Sequence, residues 1–446
     1  MKKIIVPVVL LIIVAVISIP FVSGLIMERS IRSTFENINR FYADNGINYT
    51  FEIVNYDRHY LSSDIDWKID LGVFKSLYHI EEIVFEDHAK HGFNGVVSTT
   101  SLKKNPWYAD FVAKKLHGRD PIHISTQYGL LGNVESTVKL DPFVLLTEGE
   151  KIDVKEGRMK VAADRKFEDF TTSGNWQGLM AGEKIVFGKT SMASKLKRFS
   201  PYIWDGDIDF EVARVNVQDR NEPFELKGLK GKYLLKVSND RTTTGWDTQL
   251  SIGGINTPKM SVDNSSIHFA INGINIEGYE AFMELYLQNI SHMLDNVSTL
   301  DKNPKATEEV LKRQMTTMGF QLMGAYEKLL KKGLEIKISD LNVKLADGEI
   351  NGGLELRLLK DMTFMQFAPI MSQPEQLLDI FYLKSNLSLP VNLVGENPKL
   401  LTPVYPGMQT GLFVIKGANL VHQAETVGGK FVLNSKAVLL PGQSSL

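Results

Sequence analysis

The chain has 446 residues, of which 43% are hydrophobic and 23% are charged, the composition of an ordinary globular protein. This composition excludes a mostly disordered chain and a polytopic membrane protein. The 50 basic and 52 acidic residues give a net charge of −2, whereas nucleic-acid-binding proteins usually carry a basic excess, so we expect no nucleic-acid partner. The chain contains no cysteine, which excludes disulfides, thiolate metal ligands and cysteine catalysis.

The N-terminal segment is an uninterrupted apolar run. Residues 4–27 carry no charge, and as a helix they would span about 36 Å, enough for a hydrocarbon core of about 30 Å. Lys2 and Lys3 precede the run, which favours a cytoplasmic N-terminus. The sequence therefore predicts a single-pass signal anchor within residues 1–27. The alternatives are a cleaved secretory signal, for which Val22-Ser23-Gly24 offers small residues, and a buried core helix.

A short amphipathic helix is predicted directly after the anchor, over residues 28–46. Its apolar residues recur at spacings of four, three and four and so share one face: Ile31, Phe35, Ile38 and Tyr42. Asn45-Gly46 is a typical helix stop. This face packs on its own domain in one interpretation. In the other it contacts the membrane surface or a second copy of the chain, which would give a homo-oligomer.

The next part of the chain alternates apolar and polar residues with a period of two. Residues 47–53 and 65–71 show the pattern clearly, and it predicts strands with one buried face and one wet face. Turns are predicted at Gly174-Asn175 and Gly253-Gly254. The remaining strands predicted in this region are 76–86, 121–129, 133–140, 158–163, 183–190, 207–217, 224–237, 246–253 and 266–276.

A helical hairpin interrupts the β pattern over residues 277–333, with helices near 277–295 and 304–332. An apolar stripe runs along the second helix: Leu311, Met315, Met318, Leu322 and Tyr326. The stripe is the core face of a helix on a sheet in one interpretation. In the other it is one wall of an apolar groove for acyl chains or a partner helix. Strand patterns return after residue 334, with a hairpin turn at Asp347-Gly348.

These patterns predict an α+β fold of mainly antiparallel, curved meander sheets with a helical hairpin, preceded by one transmembrane helix. The predicted parts are a cytoplasmic stub and anchor, an amphipathic helix, a β-rich envelope region, a helical hairpin and a C-terminal β-rich region. Their ranges are 1–27, 28–46, 47–276, 277–333 and 334–446.

Residues that could carry chemistry form no coherent set. The best metal-like group is His88, His91 and Asp87, because two histidines three apart can meet on one helical turn. The group follows an apolar strand and ends at Gly92, so a polar loop fits better. We therefore predict no metal, no cofactor and no catalytic residues. The chain also lacks a Gly-x-Ser-x-Gly motif and a His-Glu-x-x-His motif.

Three short motifs resemble the YdgA-like family of bacterial envelope proteins, a family of unknown function. Tyr56 to Ser63 resembles its Tyr-x-Arg-Gly-x-Phe-Ser-Ser pattern, and His91-Gly92 resembles the start of its His-Gly-Pro signature. Gly429 to Lys436 resembles its Gly-x-Leu-x-x-Asn-Gly-Lys strand and turn. The matching residues are Tyr56, Arg58, Ser62, Ser63, His91, Gly92, Gly429, Asn434 and Lys436.

The resemblance covers nearly the whole chain and implies an inner-membrane-anchored protein whose main body faces the periplasm. It supplies no catalytic residues. A purely structural interpretation of Tyr56 to Ser63 is a turn between two strands. His59 stands where the family has glycine, which is compatible with a backbone that does not need a positive φ there or with a histidine that bears the cost of one.

Three functions are compatible with this sequence. The first is a non-enzymatic binding or scaffolding protein of the envelope, held in the inner membrane by residues 4–27. The second is a groove that binds lipid or lipoprotein, and the third is a hydrolase with an unrecognised site. The expected partners are the inner membrane, a lipid or an envelope protein, and another copy of the chain.

Overall fold

The structure is a computed structural model in which α-helices and antiparallel strands account for most of the described residues. It describes residues 2–44, 49–72, 80–147, 150–219, 222–299, 312, 316, 318–319, 322–363, 366, 374–396 and 398–438. Side chains within these ranges are described except at 2–17, 44, 290–299, 374–375, 395–396 and 398–403. The predicted stripe residues Leu311 and Met315 lie outside the described residues.

The chain forms two compact units. The first contains Met1–Gly182, Ser191–Pro201 and Tyr286–Thr316, and the second contains Glu183–Thr190, Tyr202–Leu285 and Thr317–Leu446. The chain segments on either side of the predicted helical hairpin meet in the second unit, because the strand Met260–Asn275 pairs with the strand Glu335–Leu345. The mainly antiparallel β architecture predicted from the alternation is confirmed.

Helix α1 is one continuous helix, Lys2–Asp44, rather than an anchor followed by a separate helix at residue 28. Its predicted apolar face packs on the first unit, where Met27 and Ile31 are buried together with Ile65, Ala89 and Val96. Burying a side chain of the size of methionine, isoleucine or valine contributes about 1.5–3 kcal/mol. Among the residues that the structure describes, no helix is long and apolar enough to cross a membrane.

The strands of the first unit follow one another mostly as antiparallel neighbours. Pairing runs from β1 through β2, β3, β4, β5, β6 and β9 to β10 and β13, and β7, β8 and β11 form a side ribbon. Their bounds are β1 Thr50–Arg58, β2 Ser62–Asp70, β3 Glu82–Gly92, β4 Gly95–Ser101, β5 Ile122–Tyr128, β6 Val134–Leu140, β7 Phe143–Thr147, β8 Glu150–Val154, β9 Gly157–Ala163, β10 Asp169–Trp176, β11 Leu179–Ala181 and β13 Thr190–Arg198.

Helix α2, Pro106–Lys115, lies between β4 and β5. Proline at its start is compatible with a first turn that lacks hydrogen-bonded N–H groups. Tyr108, Val112 and Leu116 form a small buried cluster on this helix, packed against Ile122 and Phe143.

The second unit is built on long antiparallel strands. β12, β14, β15, β16, β17, β18, β19, β20, β22, β23 and β24 pair in this order, and β21 pairs with β22. Their bounds are β12 Ile185–Phe187, β14 Trp204–Val217, β15 Phe224–Val237, β16 Thr243–Thr257, β17 Met260–Asn275, β18 Glu335–Leu345, β19 Gly348–Leu358, β20 Phe381–Pro390, β21 Val414–Lys416, β22 Asn419–Val427, β23 Lys430–Leu433 and β24 Lys436–Val438.

Helices complete this part of the chain. Their bounds are α3 Ile276–Thr299, α4 322–329, α5 Pro374–Ile380, α6 Val391–Glu396 and α7 Pro398–Gln409. α3 and α4 touch, because a Cβ on Gly278 would lie 2.6 Å from the carbonyl oxygen of Lys328. The parts of the two predicted hairpin helices that lie in the second unit are therefore in contact near Gly278 and Lys328.

Three local predictions differ from the structure. The predicted strand 76–86 lies partly outside the described residues; within them β3 begins at Glu82 and extends to Gly92, so it includes the residues predicted as a polar loop. Gly174-Asn175 lies within β10 and Gly253-Gly254 within β16, so neither is a turn. Both turn predictions rest on glycine as a turn residue, but a strand also accepts glycine where a neighbouring backbone approaches closely. At Gly253 a Cβ would lie 3.2 Å from the carbonyl oxygen of Lys227.

The long strands of the second unit give the sheet two different faces. The register places Ile208, Tyr233, Thr248 and Phe269 in one cross-strand row, continued by Ile338 and Leu354. We call the following residues the apolar sheet face: Ile208, Phe210, Tyr233, Leu250, Phe269, Ile271, Ile336, Ile338, Leu354 and Leu356. All of them are partly exposed. The opposite face carries a row of alternating charge: Lys337, Glu355, Lys384 and Glu425.

Candidate functional site

The N-terminal family-motif residues converge where α1 lies on the first unit's sheet. Tyr56 and Arg58 lie at the end of β1, Ser63 is the second residue of β2, and His91 is the penultimate residue of β3. Alternation and register place these side chains on the sheet face that α1 covers. We call this group, together with the α1 residues that contact it, the helix-docking site. Its members are Ser23, Gly24, Glu28, Tyr56, Arg58, Ser63, Asp87 and His91.

A buried serine–histidine pair lies at the centre of the helix-docking site. Ser63 Oγ is 2.8 Å from His91 Nε2, and His91 Nδ1 is 3.3 Å from the Tyr60 carbonyl oxygen. The carbonyl can only accept, so Nδ1 carries the proton and Ser63 donates to Nε2. Ser63 is fully buried and His91 is 6% exposed. Burial lowers the pKa of His91 below its ordinary value, so the ring is neutral here.

Helix α1 closes over this pair with small residues. A Cβ placed on Gly24 would lie 2.4 Å from Cε1 of His91, so only glycine fits between the helix and the ring. Ser23 Oγ donates to the Pro20 carbonyl at 2.8 Å and lies 3.4 Å from the Gly92 carbonyl. The small residues that suggested a cleavage site therefore provide the close contact between helix and sheet.

A charged pair fixes the helix beside this contact. Arg58 Nη1 donates to Glu28 Oε2 at 2.7 Å, and both side chains are about three-quarters buried, at 26% and 23% exposure. The Arg58 guanidinium also lies over the Phe21 ring, 5.2 Å from its centroid. Arg32 binds the other oxygen of Glu28 from the next turn of α1. The motif arginine thus joins two turns of α1 to the end of β1.

A second polar group lies deeper along the same face. Asp87 is 5% exposed, accepts a 2.8 Å hydrogen bond from Trp67 Nε1, and accepts a short one from Thr100 Oγ1. Burial raises the pKa of Asp87, and the hydrogen bonds from Thr100 and Trp67 act in the opposite direction. Burial also raises the pKa values of Tyr56 and Tyr128 on the same face.

The arrangement does not have the geometry of a working nucleophile. A catalytic serine needs a base that is oriented by a third group and needs access for substrate. Here the base is oriented by a backbone carbonyl, the serine is fully buried, and α1 lies over the ring. In this geometry the Ser63 hydroxyl and both His91 nitrogens are hydrogen-bonded, and the pair lies in the contact that holds a helix on a sheet.

The candidate metal residues do not form one ligand set. Because Glu82–Gly92 is a strand, Asp87 and His91 point to the buried face and His88 points to the other face. His88 Nδ1 instead lies 2.6 Å from Asp64 Oδ1, on the wall of a polar surface hollow of about 830 Å³. Lys104 binds Asp66 at 2.6 Å in the same hollow. In the part of the chain that is described, no three ligand-type side chains cluster to hold a metal.

The stripe predicted as a groove wall is only partly described. Leu322 is 5% exposed, as expected for the core face of a helix. Tyr326 is 43% exposed, and its ring lies 5.1 Å from that of Phe282. Met318 is partly exposed. The burial of Leu322 therefore agrees with the core interpretation, and the groove interpretation remains a prediction.

The C-terminal motif lies in the second unit and shapes a hairpin. Asn434 and Ser435, between β23 and β24, have positive φ values of 48° and 68°, in the left-handed region. Asn434 Oδ1 accepts from the Gln423 N–H at 2.9 Å, and its Nδ2 donates to the Gly411 carbonyl at 2.8 Å. Gly429 also has a positive φ, of 73°, in the turn before β23. Lys436 is exposed.

Sequence reasoning missed three members of the helix-docking site: Ser23, Gly24 and Glu28. Gly24 is a glycine inside an apolar helix, which costs about 1 kcal/mol relative to alanine and therefore signals a packing reason. The predicted turn between Tyr56 and Ser63 is confirmed, since β1 ends at Arg58 and β2 begins at Ser62. His59 does not have a positive φ, which explains how it replaces glycine there.

Comparison with known proteins gives one family. A bacterial protein family of unknown function, DUF945, matches residues 1–441. No curated protein and no solved structure matches the chain. The matched range contains both the helix-docking site and the C-terminal turn.

Proposed function

The chain belongs to DUF945, a bacterial family of unknown function, and from this premise we propose a non-enzymatic binding or scaffolding role in the cell envelope. In this proposal residues 4–27 anchor the chain in the inner membrane and the main body lies in the periplasm. The finer assignment to YdgA-like proteins is supported by the motif residues Tyr56, Arg58, Ser63 and His91.

One observation carries this proposal. The apolar N-terminal run belongs to the same helix as Met27 and Ile31, and that helix is fixed to the sheet by the helix-docking site. An anchor joined to its domain by buried contacts holds the domain at a set distance and angle from the membrane. The serine–histidine pair is used in this contact, which supports a non-enzymatic role.

Cysteine accessibility in intact cells tests the anchor and its orientation. The chain has no cysteine, so a single introduced one is a unique label site. Lys3→Cys and Lys436→Cys variants of the full chain are treated with a membrane-impermeant maleimide, in bacteria whose outer membrane is permeabilised. We expect labelling of Lys436→Cys before lysis and of Lys3→Cys only after lysis. Equal labelling of both, or release of the protein by carbonate, would refute the anchored periplasmic assignment.

A second candidate function is binding of a lipid acyl chain on the apolar sheet face. The specific observation in its favour is that Phe210, Tyr233 and Phe269 are only partly buried on strands whose other face is charged. The Phe210 ring lies over Gly231, where a Cβ would be 2.0 Å from Cε1, and stacks on Tyr233 at 5.9 Å. This gives a continuous aromatic and aliphatic surface within one sheet.

Photo-crosslinking with a phospholipid that carries a diazirine in its acyl chain tests the second candidate. We expect crosslinks on β14 to β19 in the full chain, lost in Phe269→Asp. Gln249→Asp is the matched control, because Gln249 is exposed and pairs with His268 on the opposite face. If Phe269→Asp does not change the crosslinking, the lipid-binding hypothesis is refuted and the scaffolding hypothesis stands.

A further inference from the structure

We propose that the end of the first unit's sheet at which α1 enters is a docking surface for the phospholipid bilayer. This surface, the entry rim, consists of Phe21 and Val22 on α1 and three strand-connecting turns: 59–61, 93–94 and 129–133. The inference deepens the proposed function and rests on it, because it assumes that the N-terminal helix reaches the membrane.

The register brings the three turns to the same end of the sheet. His91, just before the β3–β4 turn, pairs with Val96, just after it. Val96 also pairs with Tyr128, which directly precedes the β5–β6 turn. Ser62, which follows the β1–β2 turn, pairs with Lys90 near the end of β3. Antiparallel pairing therefore aligns alternate turns along one edge. α1 meets this edge where Ser23 approaches the Gly92 carbonyl.

These turns expose large apolar side chains where polar turn residues are the norm. Exposure is 47% at Tyr60, 58% at Leu61, 57% at Phe93 and 83% at Leu131. Phe21 and Val22 on the helix are exposed by 39% and 45%. Single exposed apolar residues are ordinary, but a cluster on one edge marks an interaction site.

The neighbouring turn adds basic residues to the same edge. β9 pairs antiparallel with β6, so the turn after Ala163 lies beside the turn before Val134. Arg165 packs against Gly132, where a Cβ would be 2.8 Å from Cγ of the arginine, and Arg165 and Lys166 are exposed. Asp164 in this turn accepts hydrogen bonds from the N–H groups of Glu168 and Asp169. Exposed cations beside apolar side chains suit anionic lipid headgroups.

The path of α1 identifies the occupant as a bilayer rather than a soluble protein. Asn39 binds Phe51 near the start of β1, whereas Phe21 stacks on Tyr60 beyond the end of β1. The helix thus runs along the sheet towards the entry rim, and its residues 2–17 continue past it. The C-terminal part of the uncharged run 4–27 lies on the sheet, where Gly24 and Met27 pack, and its N-terminal part extends beyond this edge. Aromatic and basic residues around a membrane-entering helix are typical of the membrane–water interface.

Depth-dependent fluorescence quenching tests the entry rim. Leu131→Cys and Phe93→Cys variants of the full chain are labelled with an environment-sensitive fluorophore. They are then reconstituted into vesicles of phosphatidylethanolamine and phosphatidylglycerol that contain spin-labelled lipid. Trp107→Cys is the matched control, because Trp107 is an apolar residue with 45% exposure that follows the opposite end of β4. Seven strand residues separate the ends by about 23 Å.

We expect blue-shifted, quenched emission at positions 131 and 93 and unquenched emission at 107. Equal, unquenched emission at all three positions in vesicle-bound protein would overturn the rim and leave the anchor intact. Protein that fails to float with vesicles would instead overturn the proposed function itself. If positions 131 and 93 are unquenched in vesicles but protected from maleimide in cells, the partner of the entry rim is a protein rather than the bilayer.

Discussion

Ser63 Oγ and His91 Nε2 lie 2.8 Å apart beneath Gly24 of the N-terminal helix, and both groups are excluded from solvent. The two residues belong to motifs 28 positions apart in sequence, and each is compatible with catalysis when considered alone. Their burial under α1 makes them part of the contact that orients the helix. The consequences of this arrangement can be measured.

Removing the serine hydroxyl should destabilise the protein. In Ser63→Ala the buried His91 Nε2 loses its donor, and an unsatisfied buried polar atom costs about 1–3 kcal/mol. We expect a lower midpoint in thermal unfolding of the full chain in detergent. Ser62→Ala is the matched control, because the adjacent motif serine lies on the other side of β2 and should change the midpoint little.

The same pair should be unreactive as a nucleophile. Because α1 covers Ser63, an active-serine fluorophosphonate probe should not label it in the folded full chain. Labelling or ester hydrolysis that disappears in Ser63→Ala and persists in Ser62→Ala would establish a hydrolase and end the non-enzymatic proposal. The measurement requires that both variants retain the wild-type circular dichroism spectrum.

Two helical glycines should respond to alanine in opposite directions. Gly24→Ala places a Cβ against the His91 ring, and overpacking of this kind costs about 1–3 kcal/mol, more than the gain in helix propensity. Gly324→Ala in α4 meets no atom within 4 Å and should stabilise the protein by about 0.5–1 kcal/mol. Urea unfolding of the two variants beside wild type gives both values. A stabilising Gly24→Ala would show that α1 does not lie this close to His91.

Stability should fall as pH drops below about 6.5 because of His91. The folded state lowers the pKa of this ring, so the unfolded state binds a proton first and is favoured as pH decreases through this range. Asp87 contributes a pH dependence of stability of the opposite sign, because its raised pKa favours the folded state as pH falls. The difference in unfolding free energy between wild type and His91→Gln, measured at pH 7.5 and 5.5, isolates the histidine. A difference that does not change with pH would contradict a neutral buried His91.

Arg58 should matter more than an ordinary surface cation. Arg58→Met removes the 2.7 Å bond to Glu28 and the contact over Phe21, and we expect a loss of about 1 kcal/mol that shrinks in high salt. Lys114→Met is the control, because Lys114 pairs with Asp110 one turn away on α2 and both are exposed. Equal effects of the two substitutions on the unfolding midpoint would show that Arg58 does not hold α1.

The strand pattern was largely predictable because alternation is local. The predicted strand 207–217 lies within β14, Trp204–Val217. The predicted strand 224–237 coincides with β15, Phe224–Val237. The Asp347-Gly348 hairpin is confirmed, with Leu345 paired to Gly348 and a φ of 136° at the glycine. His88 and His91 illustrate the limit of such reasoning. At a spacing of three they would share a helical turn, and the sequence analysis expects a polar loop instead. The structure has a strand there, on which the two histidines point to opposite faces.

The sequence by itself determined the β-rich class, the apolar N-terminal run and the turn between Tyr56 and Ser63, because each depends on the order of neighbouring residues. Only the tertiary structure decided that Gly24, Ser63 and His91 meet, since strand register and helix packing bring them together across the chain. It also decided that exposed apolar turns share one end of a sheet. Long-range pairing, which leaves no local periodicity, produced both the helix-docking site and the entry rim.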